Sequence, residues 1–210
     1  MAMRTLICLL LLTANPLPAQ QPVAPERKLE SLLLMPEPKA MRGAYSITLP
    51  NSQQTVFTCY RESTSAVSGV EPHSVDTFTK LGLSVESFTA RAKIAADKRL
   101  LQLKPELIKG EDGRIAYAVY RGDSPLYATL LIAPSLPKIF AELFGQEIWV
   151  VTPDRHSLYI FPAKAELLDE FAADLAERYT SDPFAASSEI FAIKAGADPK
   201  VIATFTGEVP

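Results

Sequence analysis

The run EIWVVTPDRHSLYIFP, residues 147–162, sets Asp154, Arg155 and His156 in a row between two apolar stretches. An acid beside an imidazole is the raw material of a proton relay: the carboxylate orients the ring, and the ring takes a proton from a nucleophile. A relay needs those side chains in hydrogen-bond contact, and adjacency in the chain does not bring this about. Pro153 and Asp154 equally suit the central positions of a tight turn, while Val150, Val151, Leu158 and Ile160 draw both arms into a sheet. The turn is therefore the expected structure, a polar hairpin tip on which Arg155 pairs with an acid from a neighbouring element. Arg155, His156 and Tyr159 are its candidate binding residues.

A competing enzymatic reading, a small hydrolase or transferase, would use Cys59 or His156, with Asp154 as partner acid. A thiolate activated by imidazole is the commonest use of one cysteine. Cys59 lies in the strand-like run TVFTCYRE, with no tight turn or helix start beside it to lower its pKa, so a buried, inert thiol is expected. His73, in the Pro-bearing stretch VEPHSVD, reads as an exposed loop residue. Arg121–Asp123 spell Arg-Gly-Asp, but Gly122, Asp123 and Pro125 are what a tight loop wants in any case. No Gly-x-Ser-x-Gly elbow, dinucleotide or phosphate loop, or His-Glu-x-x-His occurs. No cofactor is expected, and beyond Cys8 the chain holds only one cysteine and two histidines, too few for a Cys/His zinc site.

The first residues, MAMRTLICLLLLTANPLPAQ, follow the plan of a secretory signal. Arg4 supplies the positive start, residues 6–12 the apolar run, and Ala19 the cleavage position. The run is far shorter than the ~20 residues that span a bilayer, so no transmembrane anchor is expected after cleavage. The expected layout is a signal peptide over 1–19, a Pro-rich flexible lead-in over 20–40 and a single domain over 41–210. Export to the periplasm or the extracellular space follows. Charged residues are 21% of the chain and the net charge is −3, so nucleic acid is not an expected partner. An envelope protein or a small ligand is.

Short β-rich runs alternate with helical stretches. Residues 44–49 and 55–60 flank PNSQQ as a hairpin, and Ser84 caps a helix over residues 85–103. Residues 114–120 and 126–133 read as a second hairpin around RGDSP, followed by a helix opened near Ser135 and Pro137 and closed by Gly145. The hairpin at 147–162 leads to a helix over 164–179, where Leu167, Leu168, Phe171, Leu175 and Tyr179 form an apolar stripe. EIFAIKAG and VIATFTG make a last pair of strands. The expected class is α+β, a largely antiparallel sheet built from ββα units with helices packed on one face. Aromatics on a helix-free face, drawn from Tyr117, Tyr120, Tyr127, Trp149, Tyr159 and Phe161, would form a strip for a partner or ligand.

Over residues 81–196 the chain resembles the YtpQ family of bacterial proteins of unknown function. The marks are LGLSVESFTARAKIAADKRLL, the hairpin IWVVTPDRHSLYIFP and SDPFAASSEIFAIKAG, with Leu81, Gly82, Ser84, Pro153, Arg155, Ser187 and Phe191 at the matching positions. The resemblance implies the same fold and supplies no catalytic residues. His156 stands where the family has an acid after the arginine, and the export leader is a second departure. The leading functional expectation is a non-catalytic binding or scaffold module of the cell envelope.

Overall fold

The computed structural model describes residues 31–205. The leader at 1–19 and the lead-in up to residue 30 lie outside the described residues. The lead-in does not extend to residue 40 as expected. Leu33–Pro38 is instead a strand, β1, with Leu33, Leu34 and Met35 at 1% exposure or less. Its prolines suggested a linker, but among the described residues β1 is an edge strand, paired with Thr55–Glu62, β3, alone. An edge strand tolerates a proline's missing N–H. Apolar burial on both faces then holds the strand in place.

β3 is the hub of the first sheet. It pairs antiparallel with β1 on one side, and on the other with Ser46–Ile47, β2, and Val70–Pro72, β4. The first strand of the expected hairpin, at 44–49, is thus only two residues long. The polar stretch after it contains β4 and a short helix, α1, Val75–Thr79, capped by the Ser74 hydroxyl, which accepts from the Thr77 N–H. Helix α2, Val85–Leu100, starts where Ser84 placed it, with the Ser84 hydroxyl accepting from the Ser87 N–H at 3.2 Å.

The second sheet has six antiparallel strands in the order β10-β9-β7-β8-β6-β5. These are β5, Glu106–Lys109; β6, Ile115–Arg121; β7, Glu147–Val151; β8, Ser157–Pro162; β9, Glu189–Lys194; and β10, Lys200–Thr204. The hairpin partner of β6 is β5, not residues 126–133. That run forms 3-10 turns over Tyr127–Ile132, where Ala128 to Ile132 are all buried. A short continuous apolar run carries no period, so it fits a buried strand and a buried helical segment equally well. The ββα repetition is broken at this point. Helix α3, Leu136–Phe144, follows, closed by Gly145 in the left-handed region at φ 94°. Its N-terminus is capped from another element: Asp97 of α2 accepts from the Ser135 N–H at 2.7 Å and hydroxyl at 2.9 Å.

The fold is α+β, with helices on both faces of the six-stranded sheet rather than one. Alternation along each strand separates two cores. Ala118, Tyr120, Ile148, Val150, Leu158, Ile160 and Phe191 meet α2, α3, the 3-10 segment and the first sheet. Tyr117, Val119, Trp149, Val151, Tyr159 and Phe161 meet helix α4, Ala165–Ser181, through Leu168, Phe171, Leu175 and Tyr179. The amphipathic stripe that identified α4 is what places it there, so the aromatics expected on a helix-free face lie instead under a helix.

A buried carboxylate ties the sheets together. Glu189 on β9, 1% exposed, accepts from the N–H groups of Gln53 and Gln54 at 2.7 and 2.9 Å and from the Ser52 hydroxyl at 2.6 Å. It therefore fixes the β2–β3 connection against the second sheet. Replacing Glu189 with Ala removes the shared acceptor of these buried and part-buried donors and is expected to lower the unfolding free energy by ~1–3 kcal/mol, with Glu189→Gln less severe. Urea titration measures both; a loss under about 1 kcal/mol for Ala would show that water can replace the carboxylate.

Candidate functional site

The turn between β7 and β8 is not an exposed tip. Thr152 and Pro153 are buried, and Asp154 and Arg155 are only 4% and 5% exposed. Asp154 acts as the turn's internal clamp, one carboxylate oxygen accepting from the His156 N–H at 2.7 Å and the other from the Ser157 hydroxyl at 2.8 Å. The Thr152 hydroxyl donates across the turn towards the carbonyls of Asp154 and Ser157, at 3.0 and 2.8 Å. The segment 184–187 straps over it: Ala186 and Ser187 donate to the carbonyls of Pro153 and Thr152, and Arg155 donates to that of Phe184. The turn is buried because these backbone groups all find partners.

Arg155 carries the turn's charge inward to the first sheet. Its Nη2 donates to the Tyr60 hydroxyl at 2.9 Å and lies 3.4 Å from Glu37 Oε2. The guanidinium sits over the Tyr60 ring at 5.0 Å and faces Phe184 at 5.9 Å. Glu37, on β1 and 1% exposed, also accepts from the Tyr60 hydroxyl at 2.7 Å, the Gly43 N–H at 3.1 Å and the Thr58 hydroxyl. Alternation along β1 and β3 puts Glu37, Thr58 and Tyr60 on one face, so the register itself assembles the cluster. Burial, then the neighbouring Glu37, push the Tyr60 hydroxyl up to about 12. The expected pairing of Arg155 with an acid on another element is present, but as a buried brace between sheets. Its guanidinium does not reach an outside ligand. The acid lay in the PEP of the Pro-rich lead-in, where composition argued against a strand.

The enzymatic candidates are dispersed. Cys59 is fully buried in the core that includes Leu34, Phe57 and Phe78, and burial pushes its thiol up to about 12, so thiolate is scarce at neutral pH. His73, expected as an exposed loop residue, is 5% exposed. Its ring lies edge-on to Phe78 and Phe88, Nδ1 meets the Thr77 hydroxyl at 3.2 Å, and Nε2 has no partner. The signal missed was the backbone: β4 pairs with β3 and delivers the His73 N–H to the Cys59 carbonyl at 2.9 Å. His156 is half-buried, its ring 6.2 Å from Phe184. Asp154 meets its backbone N–H, not its imidazole, so the geometry holds no acid–imidazole relay here. Among the described residues no group of three His, Cys, Asp or Glu is placed to hold a metal ion. Among them, too, no helix is long and apolar enough to cross a membrane.

Tyr159 points the opposite way from the turn, into the α4 face. It is 7% exposed beside Tyr117, at 6.0 Å between ring centroids.

The backbone of the turn also positions a surface groove. The His156 carbonyl accepts from the Gly122 N–H at 3.2 Å and the Arg155 carbonyl from the Ala128 N–H at 3.3 Å, so both ends of the loop between β6 and the 3-10 segment hang from this turn. That loop supplies one wall, Ser124 to Leu126, of a groove of 690 Å³. The opposite wall is the β3–β4 connection, with Ser63, Thr64, Ser65 and the fully exposed Val67. Tyr60, held by Arg155, lies just before this wall, and Val70 just after it; both belong to one small core with Leu126 and Ala128. Nothing in the sequence pointed to this groove, because RESTSAVSG reads only as a polar loop.

Comparison with protein-family models, with curated proteins and with solved structures finds no match. The YtpQ-like resemblance thus rests on its own short motifs.

Two outcomes follow. Arg155→Ala strands Glu37 as a buried charge and is expected to cost ~3–5 kcal/mol. Combining Arg155→Met with Glu37→Met should cost less than the two changes summed, by ~1–3 kcal/mol, in a denaturation double-mutant cycle. Strict additivity would show that the two groups do not interact. Separately, burial and then the Arg61 charge lower the His73 pKa, with Glu71 opposing. The folded protein thus favours neutral imidazole: its contribution is complete above about pH 6.5, the ordinary value, and is lost as pH falls towards the folded value. Stability measured from about pH 8 down to 5 should fall more steeply in wild type than in His73→Gln. Equal slopes would mean that His73 does not titrate with folding.

Proposed function

We propose that the protein is an exported, non-catalytic binding module of the cell envelope, and that it takes an extended segment of a partner protein in the groove between residues 61–70 and 124–126. One observation carries this reading: the buried Arg155 turn holds Tyr60, where one wall of the groove begins, and Gly122 and Ala128, between which the other wall runs. A surface concavity whose walls are held before a ligand arrives loses less ordering entropy on binding. Hydroxyls of Ser63, Thr64, Ser65 and Ser124 offer donors and acceptors to a peptide backbone, and Val67, Val70, Pro125 and Leu126 offer apolar contact to its side chains.

The enzymatic alternative has lost its parts. Cys59 is sealed in the core, and Asp154 and Arg155 are spent on the turn. His156 contributes its carbonyl to hold the groove, and its half-buried ring remains the one group of the opening motif with access to solvent. Export rests on the leader-like sequence of residues 1–19.

A peptide array probed with the mature chain tests this directly. Val67→Glu and Ser124→Arg change exposed or partly exposed groove residues and should leave the melting temperature in place. Wild type should retain a restricted set of peptides, and the double variant should retain them at least ~tenfold more weakly. Retention that survives both changes, or no retention by wild type, sinks the groove as the ligand site.

A further inference from the structure

A second cavity lies on the other core, between α4 and the sheet. Its volume is 100 Å³, and its walls are aromatic: Tyr117 on β6, Tyr159 and Phe161 on β8, and Phe171 on α4. The Tyr117 ring lies tilted by 33° against Phe161 at 5.3 Å and stands edge-on to Phe171 at 4.9 Å, so the rings brace one another around the space. Asp174 and Arg178 stand at its mouth. The same two residues, with Glu177 and Ser181, line an adjoining polar depression of 270 Å³. All four lie on one face of α4, at spacings of three and four residues.

Two of the charges at this boundary, Asp174 and Arg178, are uncommitted among the described residues. Arg121, also at the rim, is paired with Glu106 through two hydrogen bonds, at 3.1 and 2.7 Å. Among the described residues Arg178 and Asp174 have no such side-chain partner, although they stand one turn apart and on the same side. Burial raises the Tyr159 hydroxyl and the Arg178 charge works against that rise, which puts the guanidinium within electrostatic reach of the phenol at the cavity wall.

An aromatic chamber meeting a polar depression, with a free cation and a free anion at the seam, selects a ligand with matching parts. A lone cation would suit the ring faces and Asp174 but would face Arg178. A lone carboxylate would suit Arg178 and the Tyr159 side of the rim but would face Asp174 and Glu177. A zwitterion satisfies both. We infer that this cleft binds a free α-amino acid with an apolar side chain: its carboxylate on Arg178, its ammonium on Asp174 and its side chain among Tyr117, Tyr159, Phe161 and Phe171. The site shares no residue with the 61–70 groove, so it stands or falls independently of that reading.

Calorimetric titration of the mature chain with three probes tests it: L-leucine, 4-methylpentanoate, which lacks the ammonium, and 3-methylbutylamine, which lacks the carboxylate. Leucine should bind with a Kd below about 1 mM, and each truncated probe should bind at least ~tenfold more weakly. Arg178→Gln and Asp174→Asn alter exposed positions of α4 and should keep the wild-type melting temperature. Each should weaken leucine by ~tenfold, and Arg178→Gln should leave the residual amine binding unchanged. The proposal is overturned by an absence of leucine binding to folded wild type, by either truncated probe matching leucine, or by wild-type leucine affinity in either variant.

Discussion

The guanidinium of Arg155 is taken almost wholly out of water and faces a carboxylate, Glu37, that is buried even more completely. Removing two such groups from solvent costs several kcal/mol each, and their attraction offsets this only when the remaining donors and acceptors are also met. Glu37 meets that condition with Gly43, Thr58 and Tyr60, and Arg155 is flanked by the Tyr60 and Phe184 rings. One atom, Arg155 Nε, is left without a partner. The brace is therefore better understood as fixing an arrangement than as adding stability. Slipping β1 by one residue against β3 would turn Glu37 to the other face of the sheet, away from Arg155.

That requirement passes outward to the surface. The same turn that sends its side chain into the first sheet gives its carbonyls to Gly122 and Ala128. A single turn thus sets the β1–β3 register from below and the 122–128 loop from above, and the groove lies between the elements it sets. Glu189 does the equivalent work at the other end of the interface, holding the β2–β3 connection through backbone donors. Asp97 at the start of α3 is a third instance. Glu189 and Asp97 are alike in that each is a carboxylate on a regular element that accepts backbone N–H groups from another segment.

The regular elements were legible because their signals are local. Ser84 caps α2 through its own hydroxyl, Gly145 supplies the positive φ that ends α3, and the stripe Leu168, Phe171, Leu175 needs only its own helix to be recognised. The errors fall where a distant partner decides. Residues 126–133 are apolar but for Thr129 and the Tyr127 hydroxyl, and the 3-10 turns they form lie enclosed between two cores that their own pattern does not announce. The PEP of β1 reads as linker until β3 is known to lie on just one side of it. Arg155 was recognisably in want of an acid, but Glu37 stands 118 residues away in sequence, and no spacing rule reaches that far. The candidate site was legible to the same degree: the turn was found, its direction was not.

The distribution of polar groups separates architecture from chemistry more sharply than residue type does. Asp154, Arg155, Glu37 and Glu189 are the residues a motif search would single out if it knew they were buried, and each has its hydrogen bonds directed to a neighbour inside the fold. A carboxylate already accepting three or four hydrogen bonds has little capacity left for a substrate proton or ligand ammonium. Cys59 and His73 are enclosed by apolar side chains, which favours their neutral forms. Asp174 and Arg178 are the reverse, solvated beside a cavity and, among the described residues, without a side-chain partner. Groups in that state can exchange water for a ligand without breaking anything the fold needs, so recognition can reside there while the conspicuous Asp-Arg-His run serves structure.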